Sequence, residues 1–275
     1  MPDSDTPVAD ADEARRFGGV ARVYGEGGAA RLRAAHVAVV GLGGVGSWAA
    51  EALARSAVGR LTLIDLDHIA ESNTNRQLLA LQSTFGRSKV DAMAERIAAI
   101  NPACEVHVVD DFVTADNVAG LIDGFSVLID CIDRVRDKAA LIARCRSAGI
   151  PVFTCGAAGG RIDPTQIACA DLAKAVGDPL LASVRHRLRR EHGFARSDAR
   201  PPDFGVMAIY SAEPVRRPPG VATTDESDRT IADAGLSCAG YGSSVVVTAT
   251  MGIVAAAQAM DRLIGAATLP VAPDS

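Results

Sequence analysis

With 275 residues, the chain has room for one large domain or two small ones, and its net charge of −5 argues against indiscriminate nucleic-acid binding while allowing a local basic patch. Aromatic residues make up only 4% of a composition that is 48% hydrophobic, so Ala, Val, Leu and Ile must build the core. The six cysteines form no CxxC pair and the start, Met1 to Ala14, is acidic and polar, which together predict free thiols, no structural zinc and a cytoplasmic protein.

Residues 1–14, rich in Asp, Ala and Pro, are expected to be disordered. RRFGGVARVYGEGGAARLRAA follows as a basic, Gly-broken lead-in of helix and loop. Val37 to Val40 then reads as a buried strand that breaks into Gly41-Leu42-Gly43-Gly44-Val45-Gly46. An Ala-rich helix follows from Ser47 to Ser56, and a second apolar run, Leu61 to Ile64, stops at Asp65. That order places a glycine turn at a helix start and an acid about 20 residues on, the pattern of a βαβ nucleotide site. Glycines there let phosphate oxygens approach backbone N–H groups, and Asp65 can accept from ribose hydroxyls.

Beyond it, Asn73, Asn75 and Arg76 occupy a polar loop, and Ser88 caps a predicted helix over Lys89 to Ile100 that Asn101-Pro102 ends. Strands are predicted at Glu105 to Val109, Ser126 to Ile129 and Ile150 to Thr154, with helices after Thr114 and over Lys138 to Ala148. GAAGGRIDPTQIACADLAK reads as loop and strand in an antiparallel extension. A helix over Pro179 to Glu191 carries the basic cluster Arg185, Arg187, Arg189 and Arg190. Residues 193–235, rich in Pro, Arg, Asp and Thr, are expected to form a mobile insertion. The nearly charge-free run Ser244 to Met260 is short and interrupted for a membrane span, and is predicted to be a core or dimer-interface helix. The expectation is one α/β domain over 15–264: a Rossmann-like, doubly wound, mostly parallel sheet with an antiparallel C-terminal extension, and a tail at 265–275.

Among residues able to do chemistry, Asp130 and Asp133 close a strand on the glycine-turn edge, where a carboxylate holds Mg²⁺ against phosphates or caps a helix start. Arg76 and Lys89 are cations able to neutralise phosphate charge in a transition state, or ordinary surface charges. Cys238, in the Gly/Ser-rich LSCAGYGSS, is a candidate exposed thiol or a small turn residue. No G-x-S-x-G, H-E-x-x-H or Walker A run is present, and the five histidines show no ligand spacing.

The stretches VVGLGGVGSWAAEALARSAVGRLTLIDLD, SNTNRQLL, GRSKVDAMAERIAAINP and VLIDCID resemble the ubiquitin-activating-enzyme-like adenylyltransferases, the superfamily of ThiF and MoeB. RFGGVARVYG, VVDDFVTADN, GGRIDPTQIACADLAK and LSCAGYGSS are similar to its subgroup of dehydratases acting on threonylcarbamoyladenosine in tRNA. The resemblance implies ATP with its phosphates on Gly41, Gly43, Gly44 and Gly46 and its ribose on Asp65. It also implies Asn73, Arg76 and Lys89 around the polyphosphate and Asp133 on Mg²⁺. Arg16 or Arg22 would reach the nucleotide of a partner subunit in a homodimer, and Arg185, Arg187, Arg189 and Arg190 would meet tRNA phosphates. A cysteine desulfurase's sulfur-acceptor protein is an implied partner, and a bound monovalent cation is left open.

The implied reaction is an ATP-dependent dehydration, by way of an acyl-adenylate, that cyclises the threonylcarbamoyl group on the adenosine 3′ of the anticodon. Three rivals remain at this level: an NAD-dependent oxidoreductase, an activator of a small Gly-Gly carrier protein, and a non-catalytic sulfur-relay partner.

Overall fold

Strands β1 (His36–Val40) and β2 (Arg60–Ile64), with helix α2 (Gly46–Arg55) between them, form the parallel βαβ unit that the glycine turn predicts. The computed structural model describes residues 12–196, 202–216 and 241–265. Around that unit stand β3 (Glu105–Val109), β4 (Val127–Asp130), β5 (Val152–Cys155), β6 (Ile167–Asp171) and β7 (Met207–Ser211). They make one sheet in the order β3-β2-β1-β4-β5-β7-β6, parallel throughout except for the antiparallel β6–β7 pair. The strand order reverses direction between β1 and β4, so a crevice opens at their C-terminal ends, where ligands bind in such sheets.

Strand alternation decides what covers each face. Val37, Val39, Val127, Ile129, Phe153 and Ile209 point to one side, into a core closed by α2, α3 (Lys89–Ile100) and α7 (Val245–Ile264). The neighbours Ala38, Val40, Leu128, Val152, Ala208 and Tyr210 point to the other, under α4 (Val118–Leu121), α5 (Val135–Ala148) and α6 (Pro179–Glu191). Both faces of the central strands β1, β4 and β5 are buried, so these read as continuous apolar runs. Helix α7 lies tight against α2: a Cβ on Gly252 would fall 2.3 Å from the Val45 carbonyl oxygen, so only glycine lets α7 approach the start of α2. Among the described residues, no helix is long and apolar enough to cross a membrane.

Several boundaries differ from the sequence reading. The lead-in is helix α1 (Glu13–Ala34), capped by Asp12 and kinked at Gly25, whose φ is +73°. Helix α5 starts at Val135 rather than Lys138, and α4 is a single turn.

The expected mobile insertion, 193–235, contains a strand: β7 is buried between β5 and β6. Its anchor is Asp171 at the end of β6, whose carboxylate accepts from the N–H groups of Phe204, Gly205 and Val206 at 2.9, 2.8 and 3.2 Å. Antiparallel pairing with β6 and parallel pairing with β5 do the rest. Within that stretch 197–201 and 217–235, and the two ends, 1–11 and 266–275, lie outside the described residues.

Candidate active site

The turn after β1 is shaped by two glycines. Gly41 has a φ of +86°, and a Cβ there would sit 3.1 Å from the Cys131 backbone. A Cβ on Gly46 would fall 1.8 Å from the Gly41 carbonyl oxygen, so the turn closes only with hydrogen at both positions. Gly43 is different, whereas a Cβ on Gly44 would crowd Arg76 Cγ at 3.2 Å and Thr248 Cγ2 at 3.3 Å. The nearest atom to a Gly43 Cβ is Gln77 Nε2 at 4.0 Å, which leaves open space above that residue. That space belongs to a cavity of about 920 Å³ bounded by the glycine turn, β2's end, the 70–77 loop and the start of α7. Helix α2 enters it with no side-chain cap at Val45; the Ser47 N–H donates to the Gly43 carbonyl at 3.2 Å, while the Gly46 N–H has no acceptor among the described residues and suits an anion.

Asp65, 7% exposed, forms one wall. Its Oδ2 accepts from the Leu42 N–H at 2.6 Å and its Oδ1 from the Asp67 N–H at 2.8 Å, which locks the glycine turn to β2. Burial pushes the Asp65 carboxyl up, while Lys89 and these two N–H groups pull it down. A carboxylate offers about four acceptor directions, so two remain for ribose hydroxyls. Lys89 is buried in the first turn of α3, its Nζ 2.7 Å from Asp67 Oδ2 and 3.9 Å from Asp65 Oδ1. Ser88 caps α3 as predicted, accepting from the Asp91 N–H.

The short 3-10 turn Glu71–Asn73 presents the polar loop. Asn73 Oδ1 accepts from the Ala70 N–H at 3.0 Å, which leaves its amide N–H₂ for the cavity. Arg76 donates to the Ser72 carbonyl at 2.7 Å and to Asn75 Oδ1 at 2.9 Å, with no carboxylate partner among the described residues. The Trp48 indole N–H donates to the Arg76 carbonyl at 3.2 Å, and Asn75 Nδ2 to the Ser243 carbonyl at 2.9 Å, tying the loop to α2 and α7.

The two aspartates after β4 separate cleanly. Asp130 is fully buried beside Lys138, Nζ to Oδ2 2.9 Å, and accepts from Thr154 Oγ1 at 2.7 Å, so it faces α5 and not the cavity. Burial pushes its carboxyl up against the pull of Lys138 and Thr154. Asp133 is exposed on the cavity rim and its carboxylate has no partner among the described residues. It is a candidate for holding a divalent cation beside an anionic ligand.

The structure brings together Gly41, Gly43, Gly44, Asp65, Asn73, Arg76, Lys89 and Asp133 around one cavity. Gly46 shapes the turn from behind.

Other candidates are dispersed. Arg16 donates to the carbonyls of Ala99 and Ile100 at 3.1 and 2.8 Å in its own chain, closing the C-terminus of α3. Arg22 is exposed and lies over Gly18 and Gly19 with no ion-pair partner among the described residues.

The four arginines of α6 do not share one face. Arg185 and Arg189 are half-buried, and Arg189 stacks over Phe204 at 5.3 Å. Burial, helped by the charge of Arg189, holds the Arg185 guanidinium below its usual range. Arg187 and Arg190 pair with Glu191 and border a shallow groove with Ser183 and His186. Cys238 lies outside the described residues.

Gln77 and Thr248 are among the cavity residues that escaped the sequence reading. Gln77 is 8% exposed, and its Oε1 is buried without a donor among the described residues, an orphan acceptor at the glycine turn. Its adjacency to Arg76 was the available signal. Thr248, 1% exposed, closes the cavity from α7, and only the tertiary approach of α7 to α2 brings it there.

Comparison with known proteins agrees with the fold. The model of the ThiF family matches residues 18–273. The tRNA threonylcarbamoyladenosine dehydratase of Escherichia coli is 48% identical over 92% of this chain and 95% of its own length. That of Haemophilus influenzae is 44% identical over 91% and 94%. The crystal structure of the E. coli dehydratase in complex with ATP superposes with a TM-score of 0.81 at 47% identity, covering 92% of this chain and 95% of that one. This chain belongs to the ThiF family and, within it, to the tRNA threonylcarbamoyladenosine dehydratases.

Proposed function

We propose that this protein uses ATP to dehydrate the threonylcarbamoyl group of the adenosine 3′ of the tRNA anticodon, closing it into a ring. The observation that carries the reading is the cavity itself: a glycine turn open above Gly43, a carboxylate at Asp65 with room to accept from a ribose, and a carboxylate at Asp133 with no partner among the described residues. Its volume, about 920 Å³, suits a nucleotide with part of a second substrate beside it. A relative of 47% identity over nearly its whole length is described as bound to ATP in its crystal.

On this reading the first N–H groups of α2 hold phosphate oxygens, and Asp65 holds the ribose. Arg76 and Lys89 draw off charge as the substrate carboxylate attacks the α-phosphorus and pyrophosphate leaves. A Mg²⁺ held by Asp133 and the phosphates would add charge neutralisation. The neighbouring carbamoyl group then attacks the activated carbonyl and expels AMP, so the net change is loss of one water. Nucleophile and acyl group belong to one substrate, and the protein contributes positioning and electrostatics.

Arg187 and Arg190, on a groove shared with Val135, which follows the cavity-lining Arg134, would meet RNA phosphates. Arg22, rather than Arg16, would be the arginine offered to a second subunit, since Arg16 is engaged within its own chain. The exposed Val245, Val246 and Ile253 of α7 and Val23 of α1 support a homodimer on that side.

The test is nucleoside mass spectrometry on threonylcarbamoylated tRNA incubated with protein, ATP and Mg²⁺. Loss of one water from the modified nucleoside, dependent on ATP, is expected. Unchanged nucleoside together with pyrophosphate exchange that needs a Gly-Gly carrier protein would replace this reading with carrier activation.

A further inference from the structure

Lys138 is wholly buried, yet it sits in the first turn of α5, where the helix dipole disfavours a cation. All three of its donors are spent in one direction: on Asp130 Oδ2 at 2.9 Å, the Ile132 carbonyl at 2.9 Å and the Asp130 carbonyl at 3.4 Å. Asp130 in turn accepts from the Ile132 N–H through Oδ1 at 3.2 Å, and Thr154 Oγ1 steadies Oδ2 at 2.7 Å. Residue 132 is therefore gripped at its N–H by Asp130 and at its carbonyl by Lys138. The next residue is Asp133.

A buried ion pair is a poor device for stability alone, since well-packed apolar replacements are often neutral or better. What an apolar side chain cannot do is hold two main-chain carbonyls. We propose that Lys138 is a positioning residue: with Asp130 and Thr154 it fixes the turn after β4 so that the Asp133 carboxylate is presented to the cation accompanying the nucleotide. This rests on the role assigned to Asp133 above. It adds that the turn is set in advance from beneath, by groups that never touch the ligand.

The test compares the parent, Asp133→Ala, and the pair replacement Lys138→Met/Asp130→Asn, which leaves no lone buried charge and keeps an amide to bond Thr154 and the Ile132 N–H. Two readouts do not depend on turnover: hydrogen exchange of the 131–134 amides, and ATP affinity by calorimetry across a Mg²⁺ titration. The pair replacement should fold, exchange those amides at least ~10-fold faster, and shift the Mg²⁺ midpoint for ATP binding ~10-fold upward, as loss of one to two buried hydrogen bonds implies. Metal-free ATP affinity should stay within about twofold, and adding Asp133→Ala should shift the midpoint no further, because both changes act through one carboxylate.

Unchanged exchange and midpoint in the folded pair variant would overturn the proposal, and so would additive effects with Asp133→Ala. If Asp133→Ala itself leaves the midpoint in place, the proposal falls together with that residue's role, while tRNA dehydration is judged separately by the nucleoside assay. Should the pair variant fail to fold, Thr154→Val removes one strut and keeps the ion pair. It should shift the midpoint in the same direction by about threefold, and no shift there would equally overturn the proposal.

Discussion

Gly43→Ala separates shape from chemistry at the glycine turn. A Cβ at this position meets nothing nearer than Gln77 Nε2 at 4.0 Å, and Gly43 is not among the glycines with positive φ. The protein should therefore fold normally. By restricting the unfolded chain, the substitution should even stabilise it by about 0.4–1 kcal/mol, or roughly 1–4 °C in Tm for a domain of this size.

The methyl would project into the space assigned to a phosphate. Losing a backbone N–H bond to an anion costs about 1.5–3 kcal/mol, which corresponds to roughly a 10- to 150-fold rise in the Kd for ATP. Gly46→Ala is the control, because its Cβ would fall 1.8 Å from a backbone oxygen and the turn itself must give way. Thermal unfolding and calorimetry with ATP read both effects. A folded Gly43→Ala protein that binds ATP within about twofold of the parent would refute the placement of phosphates over this turn.

Arg16→Ala should lower stability by about 1 kcal/mol through its two lost carbonyl bonds and leave turnover per folded molecule unchanged. Arg22→Ala should do the reverse, and a matched fall in kcat for both would merge their roles. Replacing Arg187 and Arg190 by Gln should raise the KM for tRNA and flatten its salt dependence by about one unit of slope per phosphate contact, with ATP affinity unmoved. An unchanged salt slope would remove them from the RNA surface.

Glu51 gives a pH signature. Burial works to raise its carboxyl, but the bonds from Arg96 and Arg55 prevail and hold it below its ordinary 4.5. Its contribution is thus present above that value and lost as pH falls through the lower, folded one. The Tm gap between parent and Glu51→Gln should be steady near neutrality and narrow below about pH 4.5. A gap constant down to pH 3 would count against the ion-pair assignment.

How far the sequence spoke depended on whether the cause was local. The β1–α2–β2 unit and both ends of α3 were legible because glycine sterics, the Ser88 cap and Asn101-Pro102 all act within a few residues. The cavity's Gly, Asp65, Lys89 and Asp133 were legible for the same reason, each sitting at or just beyond a strand end or a helix start, and Arg76 through its polar loop beyond β2. Strand β7 was not, since five residues amid Pro, Arg and Asp become a strand only through partners 36 to 54 positions earlier. Arg16 was unreadable too, its acceptors lying 83 and 84 residues away. The division of the α6 arginines was within reach: residues 185 and 189, four apart, share a helix face that 187 does not, and the apolar positions Leu181, Val184 and Leu188 mark the buried side.

The thiols bear on the choice between dehydration within one substrate and transfer through an enzyme-bound thioester. A thioester route needs a cysteine that ionises near neutrality and faces the nucleotide. Burial pushes Cys104 and Cys169 up to about 11 and Cys145 up to about 12. Cys131, which does line the cavity, is driven well above its ordinary value by the Cys155 thiol 3.8 Å away and by its own burial. These four groups are almost entirely protonated at neutral pH. The cations and carboxylates, by contrast, converge on the place where charge would build up at an α-phosphorus. On the proposed reading such a site would stabilise departure of pyrophosphate, with the acyl acceptor supplied by the substrate itself.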